Sequence, residues 1–127
     1  MITYSEILAN YKGILPLPKD IDENIKLKLL PALNKFRTIY GKPMVINSGL
    51  RSAEQNGSIP GAAKKSNHLL GLAADIRDRD RSLAKYCLEN LNILQECGLW
   101  MEDPQATPTW CHLQCVPPRS GSRVFKP

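Results

Sequence analysis

Only two histidines occur in the chain, His68 and His112, and the first opens the segment His68-Leu-Leu-Gly-Leu-Ala-Ala-Asp75. Imidazole nitrogen is the commonest protein ligand for zinc, and an aspartate offers an oxygen of suitable hardness. Two imidazoles and one carboxylate would leave one position of a tetrahedral ion open, the arrangement of catalytic rather than structural zinc sites. An ion held that way lowers the pKa of its water from about 15.7 to roughly 7. Taken singly, each residue also has an ordinary explanation. A strand histidine packs against its neighbours, and an aspartate at a strand end opens a turn.

The elements that must carry these residues can be read from apolar spacing. Thr3 to Tyr11 predicts a short helix capped by Thr3, with Ile7 and Leu8 turned inward. After the break at Gly13–Pro18, Asp20 to Tyr40 predicts a long helix, with Ile21, Ile25, Leu27, Leu29, Leu30, Leu33, Phe36 and Ile39 at helical spacing. Pro31 predicts a kink or break inside it. Pro43–Asn47 reads as a strand, Ser48-Gly-Leu-Arg-Ser52 as the turn leaving it, and Gly57 to Asn67 as a surface loop. Leu72–Arg77 is the second strand. Asp80–Cys97 is a second long helix, buried through Leu83, Tyr86, Cys87, Leu91 and Leu94. Gly98–Glu102 and Trp110–Cys115 form the last strand pair, and Val116–Pro127 is irregular coil. Helices early and locally paired strands late imply an α+β domain, 1–127, with a small, mainly antiparallel sheet and flanking helices.

A length of 127 residues suits one such domain with its own core. The cysteines Cys87, Cys97, Cys111 and Cys115 form no Cys-x-x-Cys pair, so they read as reduced thiols, with a thiolate metal site the weaker alternative. Cys111 and Cys115 share one strand face and His112 takes the other. The net charge of +5 comes from scattered basic residues without the aromatic interleaving of a single-strand binding groove, which argues against nucleic acid as partner. No apolar run is long enough for a membrane span. No signal-peptide pattern opens the chain, so the expectation is a monomer made in a cytoplasm and acting after release.

Ser66-x-His68-x-x-Gly71-x-Ala73-x-Asp75, followed by Trp110-x-His112, resembles the zinc D-Ala-D-Ala carboxypeptidases and phage L-alanyl-D-glutamate endolysins. These share a superfamily with lysostaphin-type peptidases and the Hedgehog signalling domain. The upstream Ser48-Gly-Leu-Arg-Ser52 is similar to that family's Ser-Gly-x-Arg-Ser turn, so the likeness runs from about residue 43 to 125. The resemblance implies a Hedgehog/DD-peptidase-like fold and one Zn2+ per chain on His68, Asp75 and His112. It also implies hydrolysis of amide bonds in peptidoglycan stem peptides, as a carboxypeptidase or endopeptidase of the bacteriophage endolysin type. Gly71 and Ala73 are then small so that the backbone can bring His68 and Asp75 to one ion.

Such a hydrolase needs a base for the attacking water. Many family members carry Glu three residues before the last histidine, where this chain has Thr109. A hairpin over Asp103–Thr109 would return His112 beside Glu102, which makes Glu102 the expected base ahead of Asp103, since Asp-Pro opens turns. Arg51 is the expected grip on a substrate carboxylate or on the oxyanion, with Ser66 a further donor. Trp110 shares a face with His112 and would line the site. The missing glutamate also leaves a second reading open, a non-catalytic zinc-containing binding module of the same fold.

Overall fold

The computed structural model describes residues 1–60 and 66–127. Part of the predicted Gly57–Asn67 loop, including Lys64 and Lys65, lies outside the described residues. The first helix, α1 (Tyr4–Leu8), starts as expected, with the Thr3 hydroxyl accepting from the Glu6 amide.

The long helix is interrupted, and the proline explains how. α2 (Lys19–Asn24) runs into a π-helical stretch, Ile25–Leu29, before α3 (Leu30–Tyr40). Pro31 has no N–H to give to Leu27, so the helix widens by one residue ahead of it instead of kinking at the ring. The Leu30 amide accordingly reaches back to the Ile25 carbonyl. The widened turn also shifts the apolar stripe. Ile25, Leu29, Leu33 and Phe36 are fully buried, while Leu27 and Ile39, predicted inward, are exposed.

Strand β1 is Ile46–Ser48, later than the predicted Pro43–Asn47, and β2 is Ala73–Arg77. Between them a short helix, α4 (Ala53–Gly57), fills the stretch between the predicted turn and the predicted loop, meeting the loop only at Gly57. Its signal was present in the sequence: Ser52 and Gln55 close a reciprocal capping box. The second long helix divides into α5 (Ser82–Glu89) and α6 (Leu91–Cys97) about Asn90, which turns Leu91 outward. The α5 amides of Leu83 and Ala84 donate to the buried Asp78 carboxylate rather than to Asp80.

β3 (Trp100–Glu102) and β4 (Trp110–Gln114) form the expected antiparallel pair. The tail is not all coil: β5 (Val124–Phe125) pairs in parallel with β3, outside the antiparallel majority. Strand order is β1-β2-β4-β3-β5. One sheet face, carrying Ala74, Ile76, Met101, Cys111 and Leu113, packs on the helices through Leu33, Phe36, Leu83, Cys87 and Leu94. All four cysteines are free thiols, three of them buried. The opposite sheet face holds the alternate residues, and there the polar cluster lies.

Candidate metal centre

Three elements bring the cluster together. His68 sits in a 3-10 turn, Asn67–Leu70, whose first amides are capped by the Ser66 hydroxyl accepting from the His68 N–H. Gly71 closes that turn at φ +72°, and a Cβ there would come within 2.7 Å of Ile25 Cγ1, so the position needs glycine twice over. The chain then enters β2, where Asp75 stands directly across from His112 on β4 and from Ser48 on β1. Ala74 and Ile76 point to the core, so alternation leaves Asp75 on the open face.

The side chains converge on one oxygen. Asp75 Oδ1 is 2.9 Å from His112 Nδ1 and 3.3 Å from His68 Nε2. The imidazole centroids are 5.2 Å apart and edge-on. One ligand atom from each of the three residues lies within 4.8 Å of the others, spacing that a single divalent ion can span. His68 is prepared for this role. Its Nδ1 is 2.8 Å from the Gly49 carbonyl, which can only accept, so Nδ1 carries a hydrogen and Nε2 is the nitrogen presented to the cluster. Gly49 in turn admits no side chain, since a Cβ would overlap the Ile7 carbonyl oxygen of α1. The donor set of two nitrogens and one carboxylate oxygen therefore fits zinc.

Arg51 reaches the same carboxylate from behind. Its Nη2 donates to Asp75 Oδ2 at 2.9 Å, its Nε to Ser48 Oγ at 3.0 Å and its Nη1 to Asn56 Oδ1 at 3.3 Å. Both ends of the ion pair are largely buried, so the guanidinium orients Asp75 in a low-dielectric setting. Burial alone would push the Asp75 carboxyl up, but hydrogen bonds from His112 and His68 hold it well below the usual carboxylate range. Burial likewise opposes charge on His112, yet Asp75 on one side and Gln114 on the other raise its pKa overall.

Glu102 flanks the cluster. The β3–β4 register pairs Met101 with Leu113, and one residue further sets Glu102 across from His112. Half-burial pushes its carboxyl up; the His112 charge pulls the other way and Asp75 adds to the rise. Asp103 instead accepts from the Gln105 amide, inside the turn that Asp103-Pro104 opens. Arg81 anchors this hairpin by donating to the carbonyls of Trp110 and Pro104. Trp110 is half-buried on the His112 side of β4. Trp100 carries Arg123 stacked 4.3 Å over its ring.

Two neighbours of the cluster were not singled out from the sequence. Gln114 lies 2.9 Å from His112 Nε2, and alternation along β4 was signal enough to place it on that face. Phe125 meets the His112 ring edge-on at 6.1 Å; it arrives with β5, and nothing in the tail's composition announced a strand.

The fold is a small α+β sheet-and-helix assembly with a histidine/aspartate/histidine cluster on the open face of its sheet, which could hold a divalent metal ion beside a carboxylate. The chain belongs to the M15 peptidase family: the family model, Peptidase M15, matches residues 2–98. The match takes in Arg51, Ser66, His68 and Asp75, whereas Glu102 and His112 lie beyond it and are joined to the site by the sheet register. Comparison with curated proteins and with solved structures gives no match. No helix among the described residues is long and apolar enough to cross a membrane.

Proposed function

We propose that this M15 peptidase is zinc-dependent and hydrolyses amide bonds in peptidoglycan stem peptides, with His68, Asp75 and His112 holding one Zn2+. The observation that carries the reading is the convergence of His68 Nε2, His112 Nδ1 and Asp75 Oδ1 beside a half-buried glutamate. Bound zinc supplies Lewis acidity, which polarises a carbonyl and acidifies water. Glu102 accepts the proton of the attacking water and passes it to the leaving amine. Its raised affinity for a proton suits both halves of that relay. Arg51 holds Asp75 in place. Among the described residues its Nε, Nη1 and Nη2 are engaged with Ser48, Asn56 and Asp75. Its further N–H donors would serve a substrate carboxylate or the developing oxyanion. Ser66 shapes the approach to His68 through its cap.

The substrate assignment rests on the Ser-Gly-x-Arg-Ser turn and the spacing of the ligand motif, which are similar to those of D-Ala-D-Ala carboxypeptidases and L-alanyl-D-glutamate endolysins. A phage endolysin is the role we favour. Digestion of purified peptidoglycan followed by mass spectrometry tests it: new stem-peptide termini, abolished by chelator and restored by zinc, are expected. An unchanged digest at full zinc occupancy would favour the second reading, a zinc-containing binding module. That reading draws its support from Thr109 standing where many members of the similar families carry glutamate, in the turn just before β4, its carbonyl accepting from the Asp78 amide.

A further inference from the structure

Gln114 is almost wholly buried, at 3% exposure, and both ends of its amide are engaged. One end lies 2.9 Å from the Val116 carbonyl and the other 2.9 Å from His112 Nε2. A backbone carbonyl has no proton to give, so the amide nitrogen must face Val116. That fixes Oε1 toward His112, and Oε1 can only accept. His112 Nε2 must therefore carry a hydrogen and donate it to Gln114. The nitrogen left for a cation is Nδ1, the one 2.9 Å from Asp75 Oδ1, where an ion would take the place of the hydrogen that Nδ1 shares with that carboxylate.

The two histidines are thus set in opposite senses by two backbone carbonyls. Gly49 acts on His68 directly and leaves Nε2 facing the cluster. Val116 acts on His112 through an amide and leaves Nδ1 facing it. The sheet explains why the second needs an intermediary. His112 lies mid-strand, with its own neighbouring carbonyls committed to the β2 and β3 ladders. A side chain two residues along the same strand face is the nearest group that can reach the far edge of its ring. Phe125 closes the ring's remaining side edge-on and offers no competing hydrogen-bond partner.

We infer that Gln114 is a positioning residue, which fixes the ring orientation and the protonated nitrogen of His112 so that Nδ1 is the ligand atom. The inference rests on the metal-site reading for its consequence, but the hydrogen bond itself is made between groups of this chain alone.

Two measurements test it separately. Long-range 1H–15N correlation on the metal-free protein, and again after zinc addition, should show His112 protonated at Nε2, with zinc perturbing Nδ1. Zinc perturbing Nε2 instead would overturn the assignment, with no variant needed. For the variants, Gln114→Met removes the acceptor at similar volume, and its zinc affinity by competition titration should fall ten- to hundredfold. Gln114→Glu keeps an acceptor for the Nε2 proton and should recover most of that loss. Wild-type zinc affinity in a folded Gln114→Met, or equal losses in both variants, would overturn the positioning role. If the wild-type protein binds no zinc yet shows the Nε2–H signal, and Gln114→Met loses it, the positioning stands and the metal reading fails.

Discussion

His112 and Asp75 face each other across the β2–β4 ladder, with Nδ1 2.9 Å from Oδ1, although 37 residues separate them in the chain. The pairing is a cross-strand neighbour relation, so it is fixed by backbone register rather than by side-chain reach. With His68 3.3 Å from the same oxygen, all three residues act as one unit. His68→Ala, Asp75→Ala and His112→Ala should each lose stoichiometric zinc, read by elemental analysis after desalting. A variant that still holds one zinc per chain would remove that residue from the ligand set.

Glu102 stands beside the cluster without touching its geometry, so its removal should separate binding from turnover. Glu102→Gln is expected to lower kcat by roughly a hundredfold or more, the usual scale of a general base, with zinc content unchanged. Asp103→Asn should keep most activity, because Asp103 serves the turn. The reverse pattern would move the base to Asp103 and leave the rest of the mechanism standing.

Variants of Arg51 can separate its contact with Asp75 from the substrate role proposed for it. Arg51→Ala would leave Asp75 Oδ2 buried without its partner, and losing one side of a buried pair costs about 3–5 kcal/mol. Thermal unfolding should report that loss. Arg51→Lys keeps a charge but not the planar fork, so the folded variant should still lose roughly a hundredfold in kcat/KM. Full activity in Arg51→Lys would exclude both the oxyanion and the substrate-carboxylate roles.

On the helical side of the molecule, the Tyr4 hydroxyl donates to Asp22 Oδ1 at 2.6 Å and ties α1 to α2. Burial, helped by that bond to Asp22, pushes the tyrosine pKa up to about 12, so folding favours the protonated phenol. The sign follows from linkage. The contribution is complete below the ordinary tyrosine pKa near 10 and is lost as pH rises through about 12. Chemical denaturation between pH 9 and 12 (about 10 being the unfolded midpoint) should show stability falling in wild type and a shallower fall in Tyr4→Phe. Parallel curves would show that some other group carries the alkaline dependence.

The sequence by itself determined the class of fold and singled out His68, Asp75 and His112, which the structure brings together as a candidate ligand set. Two histidines and one aspartate, with small residues at Gly71 and Ala73, restrict the chemistry because few side chains bind a metal and few backbones turn that tightly. Alternation placed His112 opposite the core-facing cysteines, and the Asp-Pro hairpin returned it beside Glu102. Local pattern carries this kind of information because it depends on neighbours in sequence. The tertiary structure alone decided what touches what over long separations. Arg51 meets Asp75 through an approach between β1 and β2, and the Gly49 carbonyl meets His68 only because α1 presses on the turn. Phe125 reaches His112 through a two-residue strand too short to leave a periodic signal. The break at Asn90 belongs to the same class, since a helical period read along the chain passes over a one-residue break. The interruption before Pro31 was legible from the proline, and the structure decided only its form, a π-helical widening over Ile25–Leu29.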